Sequence, residues 1–185
     1  MKKLRLLLAL CVAGFLFSTN VMAQDGAVAG QAVTYTLPAM AIVDIEGIAP
    51  ALTFVVPTEA GDAIAPVSNS ATWLNYTSVI ATGLTNKVSV ALNKAMPVST
   101  TLKVTAAADV AGGNGTVGAA SAQITLSTAA QVIISTIGSC YTGTGTAKGH
   151  NLTYEWSVNA AGYATLVSNT TASDVTVTYT IAGTL

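Results

Sequence analysis

The chain has 185 residues, of which only 8% are charged, against about 25% in an ordinary soluble protein. Three of its seven basic residues lie at the extreme N-terminus, and the rest of the chain carries four lysines against eight acids. Such a chain has no basic patch that could neutralise phosphates, which argues against nucleic-acid binding. Its weakly charged surface of Thr, Ser, Ala, Asn and Gly also tolerates close packing against copies of itself.

The N-terminus has the layout of a secretory signal peptide. Lys2, Lys3 and Arg5 form a basic start, which an apolar stretch follows, and Val21 and Ala23 supply small residues at the −3 and −1 positions of a cleavage site. The apolar stretch is too short for a comfortable membrane span. Cleavage after Ala23 is therefore predicted, and it would leave a mature chain that begins at Gln24.

This cleavage site and the chain length together predict the domain organisation. Residues 1–23 would be removed, residues 24–30 would form a short mobile leader, and residues 31–185 are long enough to form a single domain with a sizeable core. No other run is long and apolar enough to span a bilayer. The sequence thus predicts an exported protein of the periplasm, the cell surface or the extracellular medium, with no membrane span after signal cleavage.

Apolar and polar residues alternate with a period of two through most of the mature chain, whereas helical periodicity is nearly absent. β-Branched residues fill these runs, as the half-buried surface of a strand prefers. The predicted apolar stripes are Val33, Tyr35 and Leu37; Leu52, Phe54 and Val56; Val88, Val90 and Leu92; Leu102 and Val104; Ala122, Ile124 and Leu126; Leu152, Tyr154, Trp156 and Val158; and Val175, Val177, Tyr179 and Ile181.

The remaining segments agree with an all-β chain. Residues 132–134 are continuously apolar, which indicates a strand buried on both faces. The Gly-Gly-Asn-Gly run at residues 112–115 supplies the positive-φ residues of a hairpin loop. The one helical feature that we expect is a turn around residues 127–131. Short strands with turn signals at this spacing predict an all-β fold, an antiparallel β-sandwich of immunoglobulin-like type.

Residues that could carry out chemistry are few. Cys140 stands alone once Cys11 leaves with the signal peptide, so an intrachain disulfide is excluded and Cys140 is expected to be a small buried residue. His150 is the only histidine and is expected in an exposed loop. A nucleophile pair of Cys140 and His150 can be drawn, but no third group that would orient it is evident. We therefore predict no enzymatic activity and no cofactor.

Four acidic residues form the main candidate set for a hard cation such as Ca²⁺, which prefers carboxylate oxygens. They are Asp44, Glu46, Glu59 and Asp62, which lie close together in the sequence, and Asp109 with Asn114 is a weaker candidate. Their order matches no cation-binding loop motif, and a long apolar segment separates the two pairs. Solvated surface charges are the default interpretation, and no metal site is predicted.

Aromatic residues suggest a second class of function. Tyr154 and Trp156 share the parity of Leu152, so the core explains them. Trp73 is different, because the residues around it do not fix which face of its strand is buried. An exposed ring can stack on a sugar, so Trp73 is the candidate ligand-stacking residue, and a secreted glycan- or ligand-binding module is the alternative function.

Two parts of the chain resemble the chaperone–usher pilins and the spore-coat-U-like secreted β-sandwich proteins of Gram-negative bacteria. Residues 174–181, Asp-Val-Thr-Val-Thr-Tyr-Thr-Ile, are similar to the last strand of these families. Residues 73–77 and 94–104 are similar to their strand–turn–strand pattern. In such families an N-terminal extension with alternating apolar residues completes the incomplete sandwich of a neighbouring subunit by strand addition.

The resemblance implies a non-catalytic surface or fimbria-like structural subunit. Its expected partners are copies of itself or other surface subunits, together with a periplasmic chaperone. Residues 32–37 would be the donated strand, with Val33, Tyr35 and Leu37 as the side chains that fill the neighbour's groove. The same residues could equally be the ordinary first strand of a complete domain.

Overall fold

The computed structural model describes residues 28, 30–110, 112–168 and 174–183. The chain divides into two units, Met1–Thr36 and Leu37–Leu185. The described residues of the first unit form neither helix nor strand, and the predicted signal peptide lies outside the described residues. Among the described residues, no helix has the length and the apolar character needed to cross a membrane.

The second unit consists mainly of β-strands, with one 3₁₀ helix at Ala160–Thr165. Asn159 caps this helix, because its side chain accepts a hydrogen bond from the N–H of Ala161. This helix was not predicted from the sequence. The strands are β1 (Met40–Gly47), β2 (Val67–Val79), β3 (Asn86–Leu92), β4 (Thr100–Ala106), β5 (Asn114–Gly115), β6 (Ala119–Ala120), β7 (Ile124–Thr125), β8 (Gln131–Ile137), β9 (Cys140–Tyr141), β10 (His150–Val158) and β11 (Val177–Gly183).

These strands form two sheets in which the pairings are antiparallel. The first sheet has seven strands, in the order β5-β9-β2-β10-β4-β7, with β1 also paired to β2. The second has four strands, in the order β11-β3-β8-β6. Buried side chains from both sheets form one hydrophobic cluster. The prediction of an all-β fold with antiparallel sheets is therefore confirmed, and the two sheets share a sandwich-like core.

The period-two alternation places the expected side chains in this core. Burial alternates along β3 and β4, and the charged side chains of Lys87 and Lys103 lie at the intervening positions. This is the pattern of a strand with one face on the core and the other in solvent. The predicted residues that are buried are Val88, Val90, Leu92, Leu102, Val104, Ile124, Leu126, Leu152 and Tyr154.

Residues 132–134 are not buried on both faces, contrary to the prediction. Ile133 and Ile134 are buried, but the side chain of Val132 is 39% exposed. β8 pairs with β3 through a register shift, in which Val88 lies opposite Ile134 and Ser89 lies opposite Val132. This bulge adds Ile133 to β8, so that two consecutive isoleucines reach the core.

Residues 52–56 form no strand, although their side chains alternate. Leu52 packs against the core cluster, and Phe54 stacks on Trp156 with 4.0 Å between ring centroids and 24° between ring planes. Val56 is 81% exposed. The segment is a loop that covers part of the core through Leu52 and Phe54. An alternating pattern of buried side chains can therefore arise without the hydrogen bonds of a strand.

The first strand is β1, which the sequence analysis did not predict. β1 pairs with β2 along its whole length, from Met40 opposite Val79 to Gly47 opposite Thr72. The described residues 30–39 contain no strand. Pro38, which lies just before β1, has no N–H to contribute to a ladder.

Truncation of a buried isoleucine should destabilise the protein much more than truncation of an exposed one. Ile134 is fully buried, so we expect Ile134→Ala to lower the free energy of unfolding by about 2–5 kcal/mol, through lost burial and the cavity that remains. Ile48 is 77% exposed, and Ile48→Ala should change it by no more than about 0.5 kcal/mol. Urea unfolding followed by circular dichroism measures both, and equal losses would contradict this core.

Candidate functional site

Several polar side chains of the interior lie around one tyrosine. Tyr76 lies on β2 between the part of that strand that pairs with β9 and the part that pairs with β10. These two strands begin at Cys140 and at His150. Asp109 follows the end of β4, close enough for its charge to act on both Tyr76 and Cys140. We call Tyr76, Asp109, Cys140 and His150 the polar cluster.

Hydrogen bonds hold His150 in one orientation. Its Nδ1 lies 2.8 Å from the carbonyl oxygen of Ala107, and because a carbonyl cannot donate, Nδ1 carries the proton of this bond. Its Nε2 lies 2.8 Å from the hydroxyl oxygen of Tyr76, and the same hydroxyl is also within hydrogen-bond distance of the carbonyl oxygen of Val117. The two rings stack with 17° between their planes. Tyr76 and His150 thereby connect β2 and β10 to the segment after β4 and to the loop between β5 and β6.

The expectation that His150 lies in an exposed loop is wrong. Its side chain is only 1% exposed. His150 is the first residue of β10 and lies opposite Leu74, so it shares the inward face with Leu74 and with Leu152, two residues further along the strand. The glycine-rich loop that suggested exposure ends at Gly149, one residue before the strand begins.

Cys140 is buried, as predicted. Burial raises the pKa of its thiol, and the nearby carboxylate of Asp109 raises it further. The neutral thiol is a poor nucleophile, since the thiolate is the reactive form. Both ring nitrogens of His150 are engaged, by Ala107 and by Tyr76, so neither is free to take a proton from this thiol. The geometry therefore favours a structural role for Cys140.

The four acidic residues considered for Ca²⁺ do not form a common site. Asp44 and Glu46 lie on β1, opposite Asn75 and Trp73 of β2, whereas Glu59 and Asp62 lie in a separate exposed turn. The part of the chain that the structure describes contains no group of three or more His, Cys, Asp or Glu that could hold a metal ion.

Trp73 lies on the outer face of the first sheet. It alternates with the buried residues Thr72 and Leu74, and its partners are Glu46 on β1 and Asn151 on β10. Its side chain is partly exposed. The structure thus determines the face that the sequence left open, and it places a ring among polar side chains. The proposed role of Trp73 in ligand stacking stays a prediction.

Two neighbouring edges leave apolar side chains incompletely covered. β11 is an edge strand of the second sheet and pairs only with β3 among the described strands. β1 contacts β11, and its residues Val43 and Ile45 lie opposite Tyr76 and Leu74, so they face the core side. Ile45 nevertheless stays 41% exposed. We call this region, the free edge of β11 with Val43 and Ile45, the open edge.

The predicted donor side chains are all exposed. The exposed fractions are 78% for Val33, 89% for Tyr35 and 74% for Leu37. Tyr76, by contrast, was not identified from the sequence, and Asp109 was considered only with Asn114 as a weak cation candidate. The alternation of Thr72, Leu74 and Tyr76 could have indicated that Tyr76 is buried, but nothing in the sequence around Asp109 indicates its neighbours.

Comparison with protein-family models, with curated proteins and with solved structures finds no match to this chain.

Loss of the Tyr76 hydroxyl should destabilise the fold. Tyr76→Phe would leave Nε2 of His150 and the carbonyl of Val117 without their partner, so we expect a loss of about 1–3 kcal/mol in the free energy of unfolding. Tyr141→Phe is the matched control, because Tyr141 is 51% exposed and should tolerate the change. Urea unfolding measures both variants. Equal stability of Tyr76→Phe and the wild type would contradict a structural role for this network.

Alkaline pH should destabilise the protein. Burial is the main cause that raises the pKa of Cys140 above its ordinary 9.0, and it also raises the pKa of Tyr76, Tyr154 and Tyr179 above 10.0. The unfolded chain releases these protons at lower pH than the folded protein, so stability is complete below the unfolded values and falls as the pH rises through them. We expect the urea concentration at the midpoint of unfolding to decrease as the pH rises above about 9. Cys140→Ala should remove the part of this decrease that begins at the lowest pH. A midpoint that is constant or rising up to about pH 11 would contradict these directions.

Proposed function

We propose that this protein is a non-catalytic, exported structural subunit of the cell surface, an immunoglobulin-like β-sandwich that assembles with copies of itself by β-strand addition. The observation that carries the proposal is the open edge. A sheet edge presents unpaired N–H and C=O groups, which can pair with an extended segment of another chain. Here that edge lies beside apolar side chains that face the core side and stay partly uncovered.

The open edge matches the spacing of the predicted donor. Val177, Tyr179 and Ile181 of β11 are partly buried at every second position. Val33, Tyr35 and Leu37 of a second copy have the same spacing, so a strand added beside β11 would present its apolar side chains at matching intervals. Because β1 contacts β11, those side chains would lie near Val43 and Ile45 and could cover their exposed parts.

Pro38 favours donation to another copy over folding back. A tight hairpin between residues 32–37 and β1 would need a two-residue turn at Pro38 and Ala39. The turns that suit such hairpins require a positive φ at their first central residue, whereas proline is fixed near −65°. Proline also keeps the residue before it extended, here Leu37. The segment is therefore suited to an extended conformation in a neighbouring subunit.

Surface charge supports the same function. The described residues form one ion pair, between Lys103 and Glu155 on the outer face of the first sheet. Its Nζ and Oε1 atoms are 3.2 Å apart. Only four lysines are available in the mature chain. Subunits with so few charges repel one another weakly, so close packing in an assembly costs little electrostatic energy.

Strand exchange predicts that the mature chain from Gln24 forms ordered oligomers, or that it stays soluble only with a helper protein. Light scattering after size exclusion measures the molar mass. We expect the double variant Val33→Asp with Leu37→Asp to be monomeric, because carboxylates cannot enter the open edge.

The matched control is Thr34→Asp with Thr36→Asp, which adds the same charge at the positions of opposite parity. This variant should still form oligomers. A folded wild-type monomer at high concentration would contradict the proposal, as would an identical molar mass for the two double variants.

The rival function is that of a secreted glycan- or ligand-binding module. The observation that favours it is the partly exposed ring of Trp73 on a face that also carries Glu46 and Asn151. Rings of this kind, with polar groups around them, stack on sugars. A stable wild-type monomer would favour this module over the assembly subunit, and glycan-array binding that depends on Trp73 would then be the next measurement.

A further inference from the structure

The edge strand β5 carries the one Asn-Gly pair of the chain. This strand consists of Asn114 and Gly115 alone, and one of its two edges pairs with no described strand. Both residues are exposed. Residue 113 is also a glycine, so neither neighbour of Asn114 has a side chain that could shield its carboxamide from water.

The carboxamide of Asn114 lies against the main-chain nitrogen of the next residue. The N–H of Gly115 donates to Oδ1 of Asn114, and the nitrogen and the oxygen are 2.7 Å apart. The Cγ–Oδ1 bond is about 1.2 Å long, so the nitrogen lies no more than about 4 Å from Cγ. Reacting atoms in a near-attack geometry are about 3–3.5 Å apart. A small rotation of the side chain would therefore bring the nitrogen to the carbon that it can attack.

Two other asparagines with exposed hydrogen bonds hold their carboxamides differently. Oδ1 of Asn69 accepts from the N–H of Ala71, and Oδ1 of Asn159 accepts from the N–H of Ala161, in each case two residues ahead. The residues that follow them directly are serine and alanine, whose Cβ atoms hinder an approach to the carboxamide. Asn114 thus combines two features that these residues lack, a following glycine and a contact with the nitrogen of that glycine.

We propose that Asn114 is a site of spontaneous deamidation, with the main-chain nitrogen of Gly115 as the nucleophile and water as the second reactant. Asparagine is a chemically labile residue in proteins. The nitrogen gives its proton to a solvent base and forms a bond to Cγ, the bond from Cγ to Nδ2 breaks, and Nδ2 leaves as ammonia. Water then opens the resulting succinimide ring at one of its carbonyl carbons. The product is an aspartate or an isoaspartate, and no oxidant or reductant takes part.

Isoaspartate would separate β5 from β9, because it adds a methylene to the main chain. Gly115 has a φ of 93° and lies so close to β9 that a Cβ atom on it would be 2.2 Å from the carbonyl oxygen of Ser139 and 2.8 Å from Cα of Cys140. A displaced main chain cannot keep this fit. The ladder pairs only Asn114 with Tyr141 and Gly115 with Cys140, so the modification lies within the whole of it.

This inference is independent of strand exchange, since β5 belongs neither to the open edge nor to the predicted donor segment. A monomeric wild-type protein would leave the deamidation of Asn114 intact. An unmodified Asn114 would likewise leave assembly intact.

The test incubates the folded mature chain at mildly alkaline pH and then cleaves it after lysine. The released peptide of residues 104–148 contains Asn114 and no other asparagine, so a gain of about 1 Da in its mass reports this residue alone. We expect Asn114 to be converted at least about tenfold faster than Asn69, and faster at higher pH, because the attacking nitrogen must lose its proton. Asn114→Gln, whose longer side chain needs a larger ring, should abolish the gain, and Asn69→Gln should leave it unchanged.

A comparison with the chain unfolded in guanidinium chloride separates the effect of the fold from that of the sequence. The folded protein should convert Asn114 at a rate similar to that of the unfolded chain, because the edge of β5 is open and the contact with Gly115 is already formed. Conversion that is much slower in the folded protein would overturn the proposal, as would equal conversion of Asn114 and Asn69.

The buried thiol of Cys140 reports whether β5 has separated from β9. In the isoaspartyl product, isolated by chromatography, this thiol should react faster with a thiol reagent than in the unmodified protein. Asn114→Asp is the matched control, because it has the new charge without the added methylene, and it should keep Cys140 protected. Equal thiol reactivity in the isoaspartyl product and in Asn114→Asp would contradict the separation of the two strands.

Discussion

The register of β2 is the constraint on which the rest of this structure depends. This strand pairs with β1, β9 and β10, and it contributes Leu74 and Tyr76 to the core. A slip of one residue would turn these side chains to the solvent and would bring Trp73 into the interior. Cys140 is the one cysteine among the described residues and it is free, so in this part of the chain apolar packing and the hydrogen bonds of Tyr76 hold the register.

Alternation of apolar and polar residues correctly predicted the strands that have one face on the core and the other in solvent. β3, β4 and β10 meet this condition, and their polar and apolar residues separate cleanly. β1 does not, because Ile42 and Ile45 lie on opposite faces of an edge strand and both stay exposed. Residues 52–56 show the opposite case, in which alternation reflects loop packing on Trp156. An alternating sequence pattern therefore predicts which side chains are buried, and it predicts the pairing of strands only indirectly.

The polar cluster was less predictable than the sheets, since long-range pairing assembles it. The burial of Cys140 followed from its chemistry alone. The position of His150 did not, because the glycines before it indicate a loop but do not give the residue at which the next strand starts. Asp109 has no local pattern at all, and its importance comes from neighbours that are distant in sequence. Sites of this kind are where sequence rules are expected to fail.

The hydroxyls of Tyr154 and Tyr179 lie 2.7 Å apart, and they join β10 of the seven-stranded sheet to β11 of the four-stranded sheet. Valine and isoleucine contacts between two layers are nearly interchangeable, so they specify poorly how one layer is aligned on the other. A shift of two residues along a strand, about 7 Å, would separate the hydroxyls and leave both in an apolar environment. Together with the buried hydrogen bond from Asn86 of β3 to Ser78 of β2, this polar contact favours one alignment of the layers over others of similar apolar burial.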